Sequence, residues 1–145
     1  MAKTTETLVM DLMSPAKTIT KDTEINDAIR LMKSGKYYII SVVDDNQRLI
    51  GAVSETSLIK LVKHEPTTPI GDAVWFDYIE PDAGRQTVES IMTTNITTIR
   101  PNEDIATALK VMNSASYRLL HVVDSEGKLL GIIGIKEIFE RFLGV

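Results

Sequence analysis

Val42-Val43-Asp44, followed by a short polar stretch and then Leu49-Ile50-Gly51, occurs twice in this chain. The second copy, Val122-Val123-Asp124 followed by Leu129-Leu130-Gly131, lies 80 positions later. Two apolar runs around a polar turn are typical of two strands joined as a hairpin. Two copies are too few for a solenoid, which stacks at least three units. The sequence therefore predicts one domain built from two similar halves, with any ligand bound in the cleft between them.

The repeat extends to both sides of this motif. One extra residue in the second copy aligns Met13 with Met92. The offset of 80 also superposes Thr18-Ile19 on Thr98-Ile99, Ile25 on Ile105, Ala28 on Ala108, Met32 on Met112, Ser34 on Ser114 and Tyr37 on Tyr117.

Each copy contains the apolar spacing of an amphipathic helix. Positions 25, 28, 29 and 32 are apolar, at i, i+3, i+4 and i+7, and positions 105, 108, 109 and 112 repeat this spacing. Asp22 and Asn102 precede these stretches and are of a type that caps helix N-termini. Gly35 and Ala115 stand where each helix is expected to end.

Strand-forming residues follow each helix. Residues 37–43 and 117–123 are rich in β-branched and aromatic side chains, and polar tetrads connect them to second strands at 48–53 and 128–133. With a short first strand at 18–19 or 98–99, each half is predicted to be strand, helix, strand, strand, helix. The class is α/β, of the α+β type. The last helix of each half is predicted from the apolar residues Leu58, Ile59 and Val62, and Ile138, Phe139 and Phe142.

The composition limits the class of protein. The 145 residues are 43% hydrophobic and 25% charged, which is ordinary for a soluble globular domain. The absence of cysteine excludes disulfides and thiol nucleophiles and is compatible with a reducing compartment. The sequence has no apolar run that could cross a bilayer, and its first residues lack the apolar core of a signal peptide. We therefore expect a cytoplasmic protein without a membrane partner.

Neither nucleic-acid binding nor catalysis is favoured. The net charge of −4 repels nucleic acid at long range, and the 16 lysines and arginines are scattered. The two histidines, His64 and His121, have no acid or nucleophile at a catalytic spacing, and no metal-ligating cluster is visible. We expect no enzyme activity, no catalytic residues and no metal.

The segment between the halves is unusual. Residues 64–86 carry three of the five prolines and the aromatic residues Trp75, Phe76 and Tyr78. Connections of this length inside a compact domain tend to be functional or structured. One expectation is that the aromatic side chains pack the linker onto a sheet, and the other is that the linker forms a lid over a ligand cleft.

In these features the chain resembles a tandem pair of cystathionine-β-synthase (CBS) domains, or Bateman module. The resemblance rests on the methionine-containing starts at residues 9–14 and 88–93, the two Val-Val-Asp motifs and the glycine of each second strand. It divides the chain into an N-terminal arm (1–8), a first CBS repeat (9–64), a linker (65–87) and a second CBS repeat (88–145).

The resemblance implies two β-α-β-β-α repeats packed through their sheets about a pseudo-twofold axis. It also implies a regulatory module without an obligatory cofactor, which binds an adenosyl compound between the repeats. AMP, ADP and ATP are expected before S-adenosylmethionine and NAD(H). The family tends to form homodimers and to signal to a protein partner, whose identity the sequence does not give. The alternative is a ligand-free scaffold for dimerisation and partner docking.

In nucleotide-binding members, the second strand ends in glycine, two apolar residues, a threonine or serine and, three positions later, an aspartate or serine. Residues 51–57 fit this pattern with Ser54 and Ser57. Ser54 is expected at the N-cap of the last helix, facing an anion, and Ser57 on a ribose hydroxyl. In the second repeat, Gly134 lacks the hydroxyl and Glu137 supplies a carboxylate. The alternative role of Ser54 and Glu137 is helix capping.

The family also implies positions for the base and the phosphates. Adenine is expected beside Thr18, Ile19 and Ile40 in one cleft, and beside Thr98, Ile99 and Leu120 in the other. Core packing is the alternative role of the apolar members. Ser41 and His121 stand just before Val-Val-Asp, where many members have proline. Arg118 is the expected phosphate ligand of the second cleft, with His121 as a second candidate, and the first repeat has Tyr38 in place of Arg118.

Overall fold

The structure, a computed structural model, describes residues 3–35, 37–66 and 75–145. Its helices are α1 (Val9–Leu12), α2 (Ile25–Gly35), α3 (Ile105–Ala115) and α4 (Ile135–Leu143), with 3₁₀ helices at Glu55–Leu61, Ala83–Arg85 and Val88–Ser90. Its strands are β1 (Thr18–Ile19), β2 (Ile39–Val43), β3 (Leu49–Ser54), β4 (Lys63–Pro66), β5 (Trp75–Tyr78), β6 (Thr98–Ile99), β7 (Leu119–Val123) and β8 (Leu129–Gly134). Within the described ranges no helix is long and apolar enough to cross a membrane.

The predicted order of elements is confirmed in both repeats. Each repeat forms a three-stranded sheet, in the order β1-β2-β3 or β6-β7-β8. The short first strand is parallel to the second, with Thr18 opposite Ser41 and Thr98 opposite His121. The helix between them supplies the crossover that a parallel pair requires.

The chain folds into two compact units that do not coincide with the sequence repeats. Unit I comprises Met1–Ala16, Val43–Ile50 and Asn95–Val145, and unit II comprises Lys17–Val42 and Gly51–Thr94. Each unit thus contains most of one repeat and the first residues of the other. We call residues 7–14, in unit I, and residues 86–93, in unit II, the first and second docking segments.

Each docking segment pairs with a β-strand of its unit through backbone hydrogen bonds. In unit I, Ser14 and Ile132 exchange two bonds of 2.9 and 2.8 Å. In unit II, Ala52 and Thr93 exchange two bonds of 3.0 and 2.9 Å. These contacts explain the repeated glycine at the preceding position. A Cβ on Gly131 would lie 2.6 Å from the carbonyl oxygen of Ser14.

The core of unit I includes a residue of the first docking segment. Val9 is fully buried, together with side chains of the second repeat: Ile99, Ile105, Ala108, Met112, Leu120, Val122, Ile133 and Ile138. Truncating one buried Leu or Ile to Ala in such a cluster costs about 2–5 kcal/mol. The docking segment is therefore part of the folded unit and not an appendage.

The N-terminal ends of α2 and α3 lie two residues later than predicted. Asp104, not Asn102, caps α3, and its carboxylate accepts hydrogen bonds from the backbone and the hydroxyl of Thr107 at 2.8 and 2.9 Å. In the first repeat the carbonyl of Glu24, not Asp22, accepts the first helical bond, from Ala28. The reason is that residues 20–23 and 100–103 form turns of their own before each helix.

The two polar turns of the repeated motif pair with each other inside unit I. Leu49 N–H donates to the carbonyl of Gly127, and Leu129 N–H donates to the carbonyl of Gln47, both at 3.0 Å. Gln47 and Gly127 adopt left-handed backbone conformations, with φ of 64° and 81°. Glycine adopts this conformation without the steric cost that a Cβ brings.

We expect Gln47→Gly to raise the free energy of unfolding by about 1 kcal/mol, because it removes the Cβ from a left-handed residue. Gly127→Gln should lower it by about the same amount. Urea denaturation followed by circular dichroism measures both. Destabilisation by Gln47→Gly would contradict the assigned backbone conformation.

The described residues of the linker form a structure that its sequence did not suggest. Its described residues pair as an antiparallel ribbon of β4 and β5, with Glu65 opposite Phe76. Trp75 and Phe76 are 56% and 43% exposed, so the expected packing of these aromatic side chains onto a sheet is wrong. They stack within the ribbon instead, Trp75 on His64 and Phe76 on Tyr78. Residues 67–74 lie outside the described residues, and the lid stays a prediction.

Candidate functional site

The candidate residues of the first repeat lie in unit II, at two places. Thr18 and Ser41 face each other on the parallel strands β1 and β2, and Ser54 and Ser57 lie where β3 meets the 55–61 helix. Ser41 is buried, whereas Thr18 is exposed. Ile19 and Ile40 are buried, as core residues are. A ligand would therefore contact β1 and β2 mainly through their backbone and polar groups.

The hydroxyl groups at the start of the 55–61 helix bond to one another. Ser54 is the N-cap, as predicted, and its backbone N–H donates to Ser57 Oγ at 3.0 Å. The hydroxyls of Ser54 and Thr56 are 2.8 Å apart. Thr56 was not anticipated, since the family pattern treats its position as variable. The three side chains make a compact set of donors and acceptors at the N-terminus of this helix.

The candidate residues of the second repeat lie in unit I. Arg118 precedes β7, and its carbonyl accepts a bond from the Ile135 N–H at 2.9 Å, which places it beside the start of α4. Glu137 lies one turn into α4, and its carboxylate folds back over Gly134, where a Cβ would overlap it. The polar pair Thr98 and His121 lies about 10 Å away, three residues along the strand.

The two repeats differ in which residue fills the space at the start of the last helix. In the first, Ser54 carries a side chain and Ser57 is short, so the hydroxyl of Ser57 reaches the backbone of Ser54. In the second, Gly134 has no side chain, and the longer Glu137 occupies the space above it. The two repeats therefore differ in side-chain placement at the start of their last helices.

His121 is buried on a sheet face opposite the core of unit I. Leu120 and Val122 belong to that core, and strand alternation turns His121 to the other face. Burial lowers the pKa of His121 from 6.5 to about 4. The imidazole is therefore neutral at pH 7 and brings no positive charge to a phosphate. Ile99 and Leu120 also pack in the core, so their side chains have a structural role.

An open groove of about 450 Å³ runs between α3 and α4 in unit I. It is lined mainly by Leu109, Met112, Ile135 and Phe139, with Tyr117 and Arg118 at its polar side. Of the candidate residues, Arg118 lines the groove. The groove is thus lined by the two helices and the residues before β7. The candidates Thr98, Ile99, Leu120 and His121 lie on β6 and β7 instead.

The described ranges contain no group of three or more His, Asp or Glu that could hold a metal ion. His64 pairs with Asp77 on the exposed ribbon.

Comparison with known proteins agrees with this fold. The CBS domain family matches residues 9–64 and 88–144. An uncharacterized protein of Methanocaldococcus jannaschii is 26% identical, over 94% of this chain and 91% of its own length. The inosine-5'-monophosphate dehydrogenase of Aquifex aeolicus is 30% identical over 86% of this chain, which covers only 22% of that enzyme.

Two solved structures share the architecture. CBSX2 in complex with AMP has a TM-score of 0.75 at 23% identity, with 96% of this chain and 98% of that chain covered. The CBS domain pair of protein MJ0100, solved with 5'-methylthioadenosine and S-adenosyl-L-methionine, has a TM-score of 0.72 at 22% identity, with 95% of this chain and 97% of that chain covered. The family match spans both repeats and most of the chain, and the chain therefore belongs to the CBS domain family, of which it carries a tandem pair.

Proposed function

We propose that this protein is a regulatory module that binds an adenosyl compound, with AMP, ADP and ATP as the first candidates. The observation that carries the proposal is the hydroxyl-lined turn at residues 54–57, which follows the family's nucleotide pattern and lies in a fold shared with CBS pairs solved with AMP and with S-adenosylmethionine. The module itself has no catalytic role, and its output passes to a protein partner or through its own dimer.

In the first repeat, the hydroxyls of Ser54 and Ser57 would hold the ribose and the first phosphate. Thr18, Ile19, Ile40 and Ser41 would contact the base, mainly through backbone groups. This repeat offers Tyr38 where the second has Arg118, so it supplies less positive charge for a phosphate chain. We therefore assign it to a ligand with few phosphates, such as AMP.

In the second repeat, Arg118 would contact the phosphates and Glu137 the ribose hydroxyls. Thr98, Ile99, Leu120 and His121 would surround the base. Because His121 is neutral at pH 7, the positive charge at this site comes from Arg118. Glu137 lies over Gly134 in this structure, and it must turn outward to accept two hydroxyls.

Titration of the protein with AMP, ADP, ATP, S-adenosylmethionine, NADH and adenosine, by calorimetry and thermal shift, tests the proposal. A ligand present at about 100 times its Kd adds about 2.7 kcal/mol to the folded state, a shift of several degrees in Tm for a domain of this size. Flat responses to all six compounds would contradict adenosyl binding.

We expect Arg118→Ala to weaken ATP binding by about 10- to 100-fold and to change adenosine binding little, since a charged hydrogen bond contributes about 1.5–3 kcal/mol. Tyr38→Ala, at the matching position of the first repeat, is the control and should leave ATP binding within about twofold. Equal losses for ATP and adenosine in Arg118→Ala would remove Arg118 from the phosphate role.

A ligand-free scaffold for dimerisation is the second candidate. It is favoured by the internal bond of Ser57 and by the folded-back Glu137, because both groups already have neighbours within the protein. The exposed apolar residues Ile59 and Phe139, at matching positions of the two last helices, are suited to a homodimer contact. Self-association in sedimentation equilibrium together with flat titrations would favour this candidate. A cytoplasmic location is part of either proposal.

A further inference from the structure

The last helix of the first repeat has an unusual form. Residues Glu55–Leu61 are a seven-residue 3₁₀ helix, whereas runs longer than three or four residues are uncommon because their hydrogen bonds are poorly aligned. The matching segment of the second repeat, α4, is an ordinary α-helix over Ile135–Leu143. The same position in the fold thus supports two helical forms.

Lys60 connects this helix to the second docking segment within unit II. Its Nζ donates to the carbonyl of Ile91 at 3.1 Å and lies 3.4 Å from the carbonyl of Met92. These carbonyls follow the short helix Val88–Ser90, where a positive charge is favoured by the helix dipole. The neighbouring pair of Ala52 and Thr93 joins the same segment to β3. Lys60 therefore provides a second contact to the second docking segment, in addition to the backbone pairing of Ala52 with Thr93.

The contact depends on the helical form. Ser54 is fixed at the end of β3, and Lys60 is the sixth residue after it. A change from 3₁₀ to α geometry, at about 100° instead of 120° per residue and about 1.5 instead of 2.0 Å rise, would rotate Lys60 by about 120° and draw it back by about 3 Å. Its ammonium would then point away from the two carbonyls. The α-helical form and the Lys60 contact exclude each other.

The other end of this helix carries the hydroxyls assigned to ligand binding. Ser54, Thr56 and Ser57 bond to one another in the 3₁₀ form. A ligand that takes these hydroxyls must break that arrangement, and so it changes the balance between the two forms. Ser57 and Lys60 are separated by a single turn of helix. A change in helical form at the hydroxyl groups therefore reaches the Lys60 contact directly.

We propose that the 55–61 helix is a two-state element, held in its 3₁₀ form by Lys60 on the second docking segment, and that a nucleotide at Ser54–Ser57 shifts it to the α form and releases that segment. The ligand-dependent part rests on the proposed function. Linkage requires the converse as well, because a variant that cannot make the Lys60 contact must bind the nucleotide more tightly.

Lys60→Met tests the ligand-free part, because it removes the ammonium and keeps an apolar stem. Amide exchange of Met92 and Thr93, both hydrogen-bonded in the folded state, should become about tenfold faster. Medium-range NMR contacts in residues 55–61 should change from the i,i+2 pattern of a 3₁₀ helix to the i,i+4 pattern of an α-helix. Lys60→Arg should retain the wild-type values, and Lys33→Met, an exposed lysine of α2, is the matched control.

Unchanged exchange and unchanged i,i+2 contacts in Lys60→Met would overturn the two-state element. The ligand-dependent part is tested with AMP, which should speed exchange at Met92 and Thr93 in the wild type and bind Lys60→Met about 3- to 10-fold more tightly. AMP that binds both proteins equally, without a change in exchange, would overturn this coupling and leave the proposed function standing. Absence of AMP binding would overturn both the coupling and an AMP-binding function. The comparison of the wild type with Lys60→Met, without ligand, would still decide whether Lys60 holds the helix in its 3₁₀ form.

Discussion

Gly131→Ala is expected to lower the free energy of unfolding by about 3 kcal/mol. The new Cβ would lie 2.6 Å from the carbonyl oxygen of Ser14, a backbone atom that cannot move aside without moving the first docking segment. The two bonds between Ser14 and Ile132 would be lost, at about 1 kcal/mol each, and the packing of Val9 and Met13 against the core would loosen. Chemical denaturation followed by circular dichroism measures the loss.

Gly51→Ala is the matched control, since Gly51 occupies the same position in the first repeat. Its Cβ would meet Met92 Sδ at 2.7 Å and the carbonyl oxygen of Thr93 at 3.1 Å. A thioether at the end of a flexible side chain can rotate away, so we expect a loss of only about 1 kcal/mol. The entropic effect of replacing glycine in the unfolded chain is the same for both variants. Equal losses would show that contact with the docking segments does not determine the cost.

His121→Ser is expected to remove a pH dependence of stability of about 3 kcal/mol between pH 7 and pH 4. Burial lowers the pKa of His121 to about 4 from 6.5, a difference of about 2.5 units at about 1.4 kcal/mol each. As the pH falls below 6.5, His121 takes up a proton in the unfolded chain but stays neutral in the folded chain. The stability that the neutral histidine contributes is therefore present above pH 6.5 and is lost as the pH falls to 4.

Serine is the informative replacement because Ser41 is the buried residue at this position in the first repeat. Unfolding of both proteins in urea at half-unit steps from pH 7 to pH 4 gives the slope of the free energy of unfolding against pH for each protein. The carboxylates of Asp104 and Asp124 also have lowered pKa values, through hydrogen bonds from Thr107 and from Lys128 and Glu126, but they are unchanged in the variant. Parallel slopes for wild type and variant would mean that His121 is accessible to protons in the folded state.

The secondary structure of this protein could be predicted from the sequence because its signals are local. The apolar spacing before Gly35 and Ala115 gave both long helices, and each Val-Val-Asp motif gave a strand and a turn. The assignment of the docking segments could not be predicted. Aligning Met13 with Met92 shows that the two residues are equivalent, but it does not show against which repeat each of them packs. That choice depends on contacts between residues more than 100 positions apart, such as Ser14 and Ile132.

The candidate site was predictable to a similar degree. The N-cap role of Ser54 followed from its place between an apolar strand and a helix, and the structure confirms it. The protonation state of His121 depends on burial by the whole fold, so the charge of this side chain could not be predicted from the sequence. Lys60 gave no signal, because its partners are backbone carbonyls, which every residue carries.

The exchange of docking segments means that the sequence repeat and the folded unit are different stretches of the chain. A fragment that ends in the linker would keep residues 7–14, which belong to unit I, and would lack residues 86–93, which complete unit II. The complementary fragment would keep residues 86–93, which belong to unit II, and would lack residues 7–14, which complete unit I. A single repeat would meet both requirements only as a pair of chains, in which each chain provides its first residues to the other. In this protein, residues 64–86 join the two repeats covalently within one polypeptide.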